Sequence, residues 1–180
     1  FYNALMLFWF TALASLGVSV LGMFLADALI GERIVILGSF LGLVYTHNDG
    51  VAFGLDLPQI ILLPVVLVAF VLIWRMARKH ASPEAQLAFG FILGGGAANI
   101  IDRLVDGVVT DYVQIASLPI FNLADTCITV GAILLCIHLF ERSPEHGAYV
   151  QYTCHHRGAV VWCAPSELPT FAVLYAMVLL

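Results

Sequence analysis

Four stretches of this chain are apolar over lengths that suit a lipid bilayer, and they limit its fold more than any other feature. They run over Leu5 to Ala26, Ile60 to Trp74 with its apolar flanks, Gln86 to Ile101, and Leu123 to Phe140. A hydrocarbon core about 30 Å thick takes about 20 apolar residues as a helix. Backbone polar groups inside it must be satisfied within the helix or by neighbouring protein. The expected fold is therefore an all-α membrane protein, with four transmembrane helices and small extracytoplasmic β-like and loop elements. Composition agrees, because apolar residues make up 62% of the chain and charged residues only 11%, far from the balance of a soluble domain.

The four runs form one expected domain over residues 1–142, followed by an atypical tail over 143–180. The tail's last apolar piece, Leu168 to Leu180, is too short to span. The chain opens on Phe1, so a few preceding residues are expected to be missing. Its first apolar run exceeds the roughly 7–15 residues of a signal peptide's apolar region, and it reads as a membrane helix.

Lysine and arginine near helix ends mark the cytoplasmic side. Arg75, Arg78 and Lys79 cluster in "WRMARKH" between the second and third runs, and Arg142 follows the fourth. Both termini and that link are expected in the cytoplasm. The opposite face then holds "THNDGVAFGL" (46–55), "GGGAANIIDRLVDGVVTDY" (94–112) and "FNLAD" (121–125). The net charge of −5 comes with no basic patch interleaved with aromatics, so no nucleic-acid partner is implied. Cysteines fall at 127, 136, 154 and 163 without a C-x-x-C pair. "CHH" at 154–156 with Cys163 beyond matches no zinc spacing, and no metal is expected.

Ionisable residues at membrane helix ends are costly, which makes function a natural first question. Asp125 nonetheless has an ordinary account. With Asn122 as N-cap it occupies the third helical position, where a carboxylate meets the positive end of the helix dipole. Asp111 has one too, as a turn residue after "DGVVT", where Asp106-Gly107 marks a turn before a short β-like run. Together they say more, because the link between the third and fourth helices starts and ends on one side of the membrane. Both carboxylates can then reach one site at the boundary of water and lipid. Two adjacent carboxyl groups do not both ionise easily, so one keeps a proton while the other stays charged. An aspartic hydrolase uses that asymmetry: the charged member draws a proton from water and the protonated one polarises the scissile carbonyl. Neither metal nor cofactor is needed. No G-x-S-x-G elbow, H-E-x-x-H helix or P-loop competes with this reading.

The neighbouring residues suit such a site. Asn99, Asp102 and Arg103 share one face of the third helix, although Asp102 and Arg103 also read as a local pair that helps end it. Gly90, Gly94 and Ala98 recur every four residues, which lets another helix approach closely. Asn48 and Gly50 read as a turn, and Phe53 as an interfacial anchor. His47 is a candidate general base, though a lone interfacial histidine is more often a hydrogen-bonding surface residue.

In order, "NDGVAFG", "GGGAANIIDR", "GVVTDY" and "FNLADTCI" resemble the lipoprotein signal peptidases (signal peptidase II), bacterial inner-membrane aspartic proteases. The likeness covers roughly residues 24 to 140. It implies a protease of the cytoplasmic membrane, with its site toward the extracytoplasmic face, that removes signal peptides from prolipoproteins just before a diacylglyceryl-modified cysteine. The partners implied are that lipid-modified substrate and membrane lipid. The catalytic pair corresponds to Asp111 and Asp125, while Asn48, Asn99, Arg103 and Asn122 fall on supporting polar positions. Two departures stand out: Gly31 lies four residues after Asp27 where the family has Lys, and Ala98 precedes Asn99 where the family usually has Gly. The alternative from another class is a proton-coupled transporter or channel, which should place acids near the midplane on broken helices, often in inverted repeats. No repeat occurs, and the acids gather at one face.

Overall fold

A computed structural model of the 180-residue chain describes residues 2–48, 59–80, 82–142, 152–153 and 160–161. It is mostly helical with a small sheet. Among the described residues there are four helices: α1 (Tyr2–Leu29), α2 (Gln59–Ala77), α3 (Pro83–Asp106) and α4 (Leu123–Arg142). Asn3–Leu29 and Pro83–Asp106 are long and apolar enough to cross a membrane, whereas the apolar parts Pro64–Ala77 and Leu123–Leu139 are shorter.

The expected end of the third helix near Ile101 to Arg103 needs correction, because α3 continues to Asp106. Charged Asp102 and Arg103 do not stop a helix, and the residues after them bring no breaker until Gly107. That glycine takes a left-handed conformation (φ 91°) and its N–H returns to the Arg103 carbonyl at 2.9 Å, closing the helix as a C-terminal cap. At the other end Pro83 occupies a first-turn position, where its missing N–H costs nothing.

Small residues let α3 take the centre of the bundle. A Cβ on Gly90 would fall 2.8 Å from the Phe8 carbonyl, and one on Gly94 would collide with Ala12 and Ser15. On the other flank, one on Gly95 would fall 2.5 Å from the Ala124 carbonyl, and one on Gly131 2.7 Å from that of Ala88. These pairings make α3 parallel to α1 and antiparallel to α4. The seam of α1 is polar and small: Thr11, Ser15 and Ser19 are buried, while Leu13, Phe10 and Phe24 point outward. Ser15 reaches across to the Gly90 carbonyl at 3.5 Å. Helices in lipid gain little from burying apolar surface against each other, so close backbone approach and hydrogen bonds at small residues supply the association.

Two apolar clusters divide the bundle by depth. One gathers Phe8, Ile73, Phe89 and Leu135 toward the end where α2 passes into α3, and the other gathers Met23, Ala26, Ala98, Tyr112 and Ala124 at the opposite end. That second end carries an antiparallel sheet of strands β1 (Ile34–Leu37), β2 (Leu41–Asn48) and β3 (Val109–Ile115), in that order. Gly38 (φ 51°) turns the chain from β1 into β2. All of β1 is exposed although it is wholly apolar. Two further two-residue strands, β4 (Tyr152–Thr153) and β5 (Val160–Val161), pair with each other in the tail.

Two turn expectations also change. Asp111 belongs to β3 rather than to a turn, because the β-branched residues Val109 and Thr110 pair with β2 two residues after Gly107 ends the helix. Asn48 is the last residue of β2; Gly50 and Phe53 lie outside the described residues. Thr46 stands opposite Asp111, so Asn48 is its diagonal neighbour on the same face of the sheet.

Candidate active site

Three asparagines bring the two aspartates together. Asn122 is the N-cap of α4: its Oδ1 accepts the Asp125 N–H at 3.0 Å, and its own N–H donates to Asp125 Oδ2 at 3.1 Å. This reciprocal pair is a capping box built from Asn and Asp. The cap residue has a second use, since its side-chain amide donates to Asp111 Oδ1 at 2.9 Å and to Asn99 Oδ1 at 3.3 Å. Asn99, from α3, donates to Asp125 Oδ1 at 2.9 Å, and Asn48, from β2, donates to Asp111 Oδ2 at 3.0 Å. Each oxygen of each carboxylate therefore holds an N–H donor. Asn122 is fully buried, and Asp111 and Asn99 are nearly so (3% and 4% exposed).

Helix α3, helix α4 and the β2–β3 pair thus meet at one polar knot, and each is held by the local chemistry of its own sequence. Asp102 extends the knot by accepting the Thr110 N–H at 2.6 Å, which fastens the start of β3 to the end of α3. Arg103 adds a positive charge acting on both aspartates and on Asp102. Tyr112 hydroxyl accepts the Leu123 N–H at 3.3 Å and lies over Gly22 of α1, where a side chain would strike it.

Burial pushes the Asp111 carboxyl up to about 7, and the charge of Asp125 pushes it the same way. The amide donors of Asn48 and Asn122, and then the Arg103 charge, oppose the rise without cancelling it. Asp111 therefore retains its proton in weakly acidic solution while remaining one hydrogen bond from the residue that caps Asp125.

Of the residues singled out by sequence, the structure gathers Asp111, Asp125, Asn48, Asn99 and Asn122 directly, with Arg103 and Asp102 at the edge. His47 is turned elsewhere: its Nε2 meets the Tyr45 hydroxyl at 2.9 Å, and that hydroxyl donates to Asp27 Oδ1 at 2.9 Å. Sequence reasoning missed Tyr112 and this Asp27–Tyr45–His47 chain. The alternation of β2 and β3 was the available signal, since it puts Tyr45 and His47 on one face. The two departures from the family pattern are accommodated. A Cβ at Gly31 would meet nothing within 4 Å, and Ala98 packs fully buried beside Met23 and Ala26. Among the described residues no His, Cys, Asp and Glu cluster suits a metal, and Cys154, His155, His156 and Cys163 lie outside them.

The family model of signal peptidase (SPase) II matches residues 8–141, a span that contains every element of this knot. The chain belongs to the signal peptidase II family. It is 38% identical over 121 residues to the lipoprotein signal peptidase of Moorella thermoacetica, covering 64% of this chain and 79% of that protein. It is 36% identical over 140 residues to that of Chlorobium phaeovibrioides, covering 69% and 82%. Among solved structures, one described as a bacterial membrane enzyme superposes with a TM-score of 0.69, over 77% of this chain and 92% of that one, at 23% identity. That likeness shows a shared fold. As a signal peptidase II member the chain is a membrane-protein peptidase that acts on lipoprotein signal peptides, and the transporter alternative is not favoured.

Proposed function

We propose that this chain is an aspartic endopeptidase of the bacterial cytoplasmic membrane that cuts prolipoproteins just before a diacylglyceryl-modified cysteine, using Asp111 and Asp125 as its catalytic pair. The observation that carries the reading is the Asn122 bridge, which joins a carboxyl raised to about 7 to a second carboxylate at a helix N-terminus. The pair holds one proton between them. Asp125 takes a proton from water as the water oxygen adds to the scissile carbonyl carbon, and Asp111 gives its proton to the carbonyl oxygen. Collapse of the tetrahedral diol breaks the C–N bond, with the proton on Asp125 passing to the departing nitrogen and one diol hydroxyl returning its proton to Asp111. Asn48, Asn99 and Asn122 hold the carboxylates in place, and Arg103 balances their charge.

The four helices all span in this reading. Helices α2 and α4, of 19 and 20 residues, reach about 29 and 30 Å at 1.5 Å per residue, close to the thickness of the hydrocarbon core. Arg75, Arg78, Lys79 and Arg142 keep their ends cytoplasmic, so the aspartates face the outer side. The exposed apolar strand β1 would rest among head groups there, and the substrate's lipid tails would lie in the bilayer beside the site. Residues 1–142 form the peptidase domain and 143–180 an appended tail. Reconstituted protein given matched prolipoprotein peptides, with and without the diacylglyceryl group, tests the assignment. Cleavage of the lipidated peptide before its cysteine is expected, and equal cleavage of both peptides would defeat the specificity claimed.

A further inference from the structure

From the end of the bundle away from the aspartates to mid-bundle, where Ala97 lies two residues before Asn99, two cavities adjoin. The larger, about 370 Å³, is a groove with Leu93, Gly94 and Ala97 of α3 as its floor and with walls of Leu13 and Leu16 from α1 and Phe70 from α2. The smaller, about 280 Å³, continues it past Phe8 and Trp74, which line both, to a mouth formed by Arg78, His80 and Gln86. The ring contacts of Trp74 with Phe8 and Trp9, at 5.5 and 5.7 Å, bridge α1 and α2 across the groove.

The mouth is built rather than incidental. Gln86 is buried, and its amide donates to the Ala77 carbonyl at 2.6 Å and to that of His80. Backbone bonds from Arg78 to Trp74 and from Lys79 to Met76 (3.1 and 2.9 Å) complete the turn. Gln86 thus pins the segment that displays two cations, Arg78 and Lys79, at the rim of an apolar channel. From Ala4 to Leu16 the channel follows α1 for about 18 Å at 1.5 Å per residue, close to the half-thickness of a hydrocarbon core of about 30 Å. A single leaflet has that depth, and tryptophan beside arginine is the chemistry of its head-group boundary.

We propose that this composite channel is a binding site for one anionic phospholipid of the leaflet opposite the aspartates. One acyl chain lies along Gly94 and Ala97, and the phosphate sits against Arg78 at the pinned turn. Guanidinium pairs with phosphate through paired N–H donors, and the two cations favour a net anionic head group because the choline of a zwitterionic lipid offsets the attraction of its phosphate. The groove selects a chain over loose boundary lipid because its walls come from three helices. The inference rests on the chain lying in a bilayer and not on the catalytic roles of the aspartates.

Native mass spectrometry of the full chain, released from micelles with equimolar phosphatidylglycerol and phosphatidylcholine, reads the selection directly. A one-to-one phosphatidylglycerol adduct is expected to dominate. Arg78→Gln should lose the preference by about fivefold, the effect of one basic residue beside an anionic head group. It should still cleave lipidated peptide, because Arg78 is exposed and remote from the knot. The unmutated site is checked by tryptophan quenching in nanodiscs, with Trp162→Phe to remove the tail's contribution. Brominated phosphatidylglycerol should quench Trp9 and Trp74 more than brominated phosphatidylcholine. Equal binding and quenching by the two lipids would mean boundary lipid only, and a protein dimer in place of the adduct would mean that a second copy fills the groove; either overturns the proposal. Selective lipid binding by a chain that fails to cleave would instead sink the proposed function and leave this site standing.

Discussion

Replacing Asp111 by Asn separates the cost of its buried carboxyl from its chemistry. A carboxyl raised from 3.8 to about 7 binds its proton more tightly in the folded chain by about 4 kcal/mol, at about 1.4 kcal/mol per pH unit. Because the folded value is the higher one, this contribution to stability is complete below the unfolded pKa and is lost as pH rises through about 7. Between pH 5 and pH 8 the wild type should therefore lose about 2–3 kcal/mol through this residue, and the Asn variant should not. The variant carries a constant penalty, since its new NH2 group confronts one of the two amide donors, Asn48 or Asn122. Such a mismatch costs about 1–3 kcal/mol. The two chains should be similar in stability near pH 5, and the inactive variant should be the more stable near pH 8. Reversible unfolding in mixed micelles across this range measures the difference, with cleavage followed in parallel. Wild-type cleavage should fall on an alkaline limb near pH 7. Parallel stability profiles for the two chains, with cleavage undiminished at pH 9, would refute the reasoning.

Asn122→Ala should cost about 0.5–2 kcal/mol as a lost cap, and should lower cleavage by about tenfold to a hundredfold, as expected for losing a bond worth about 1–3 kcal/mol. Asn122→Ser should recover the capping part of the stability but not the rate, because serine caps α4 without reaching Asp111; full recovery of the rate in a cleavage assay would make the bridge irrelevant. A reporter fused near Lys79 should lie in the cytoplasm and one near Leu118 outside it, whereas reporters on the same side would break the four-span topology. Truncation after Arg142 should leave turnover largely intact, and total loss from a stably inserted truncation would give the tail a part in the site.

The helices and the polar knot were legible in sequence for different reasons. Apolar length announced α1 to α4, and small residues at Gly90, Gly94 and Ala98 announced the seam of α3. Asn122 and Asp125 were readable as a cap because capping is local, spanning three residues. The union of Asp111 with Asn48 was not, because it depends on the register of β2 against β3 across 63 residues of chain. The same pairing turned Asp111 from an expected turn residue into a strand residue. The helix end at Asp106 was not legible from charge, because Asp102 and Arg103 do not stop a helix and the first residue able to close it is Gly107. Asp102, expected beside Arg103 and acting on its charge, also secures the Thr110 N–H, a contact that exists only once β3 has folded back.

The central claim is that Asp125 is half of a proton-sharing pair and not only a helix cap. Cleavage of a diacylglyceryl-modified peptide by Asp111→Asn, Asp125→Asn and the double variant tests it most directly, with membrane abundance checked for each. Asn at 125 keeps a hydrogen-bonding oxygen and forfeits only about 0.3–1 kcal/mol of dipole interaction, so a pure cap would barely register the change. The account predicts that each single variant inserts normally and does not cleave, and that the double variant is no worse than either, as members of one catalytic unit behave. Substantial turnover by either single variant would contradict it and return Asp125 to the role of a cap.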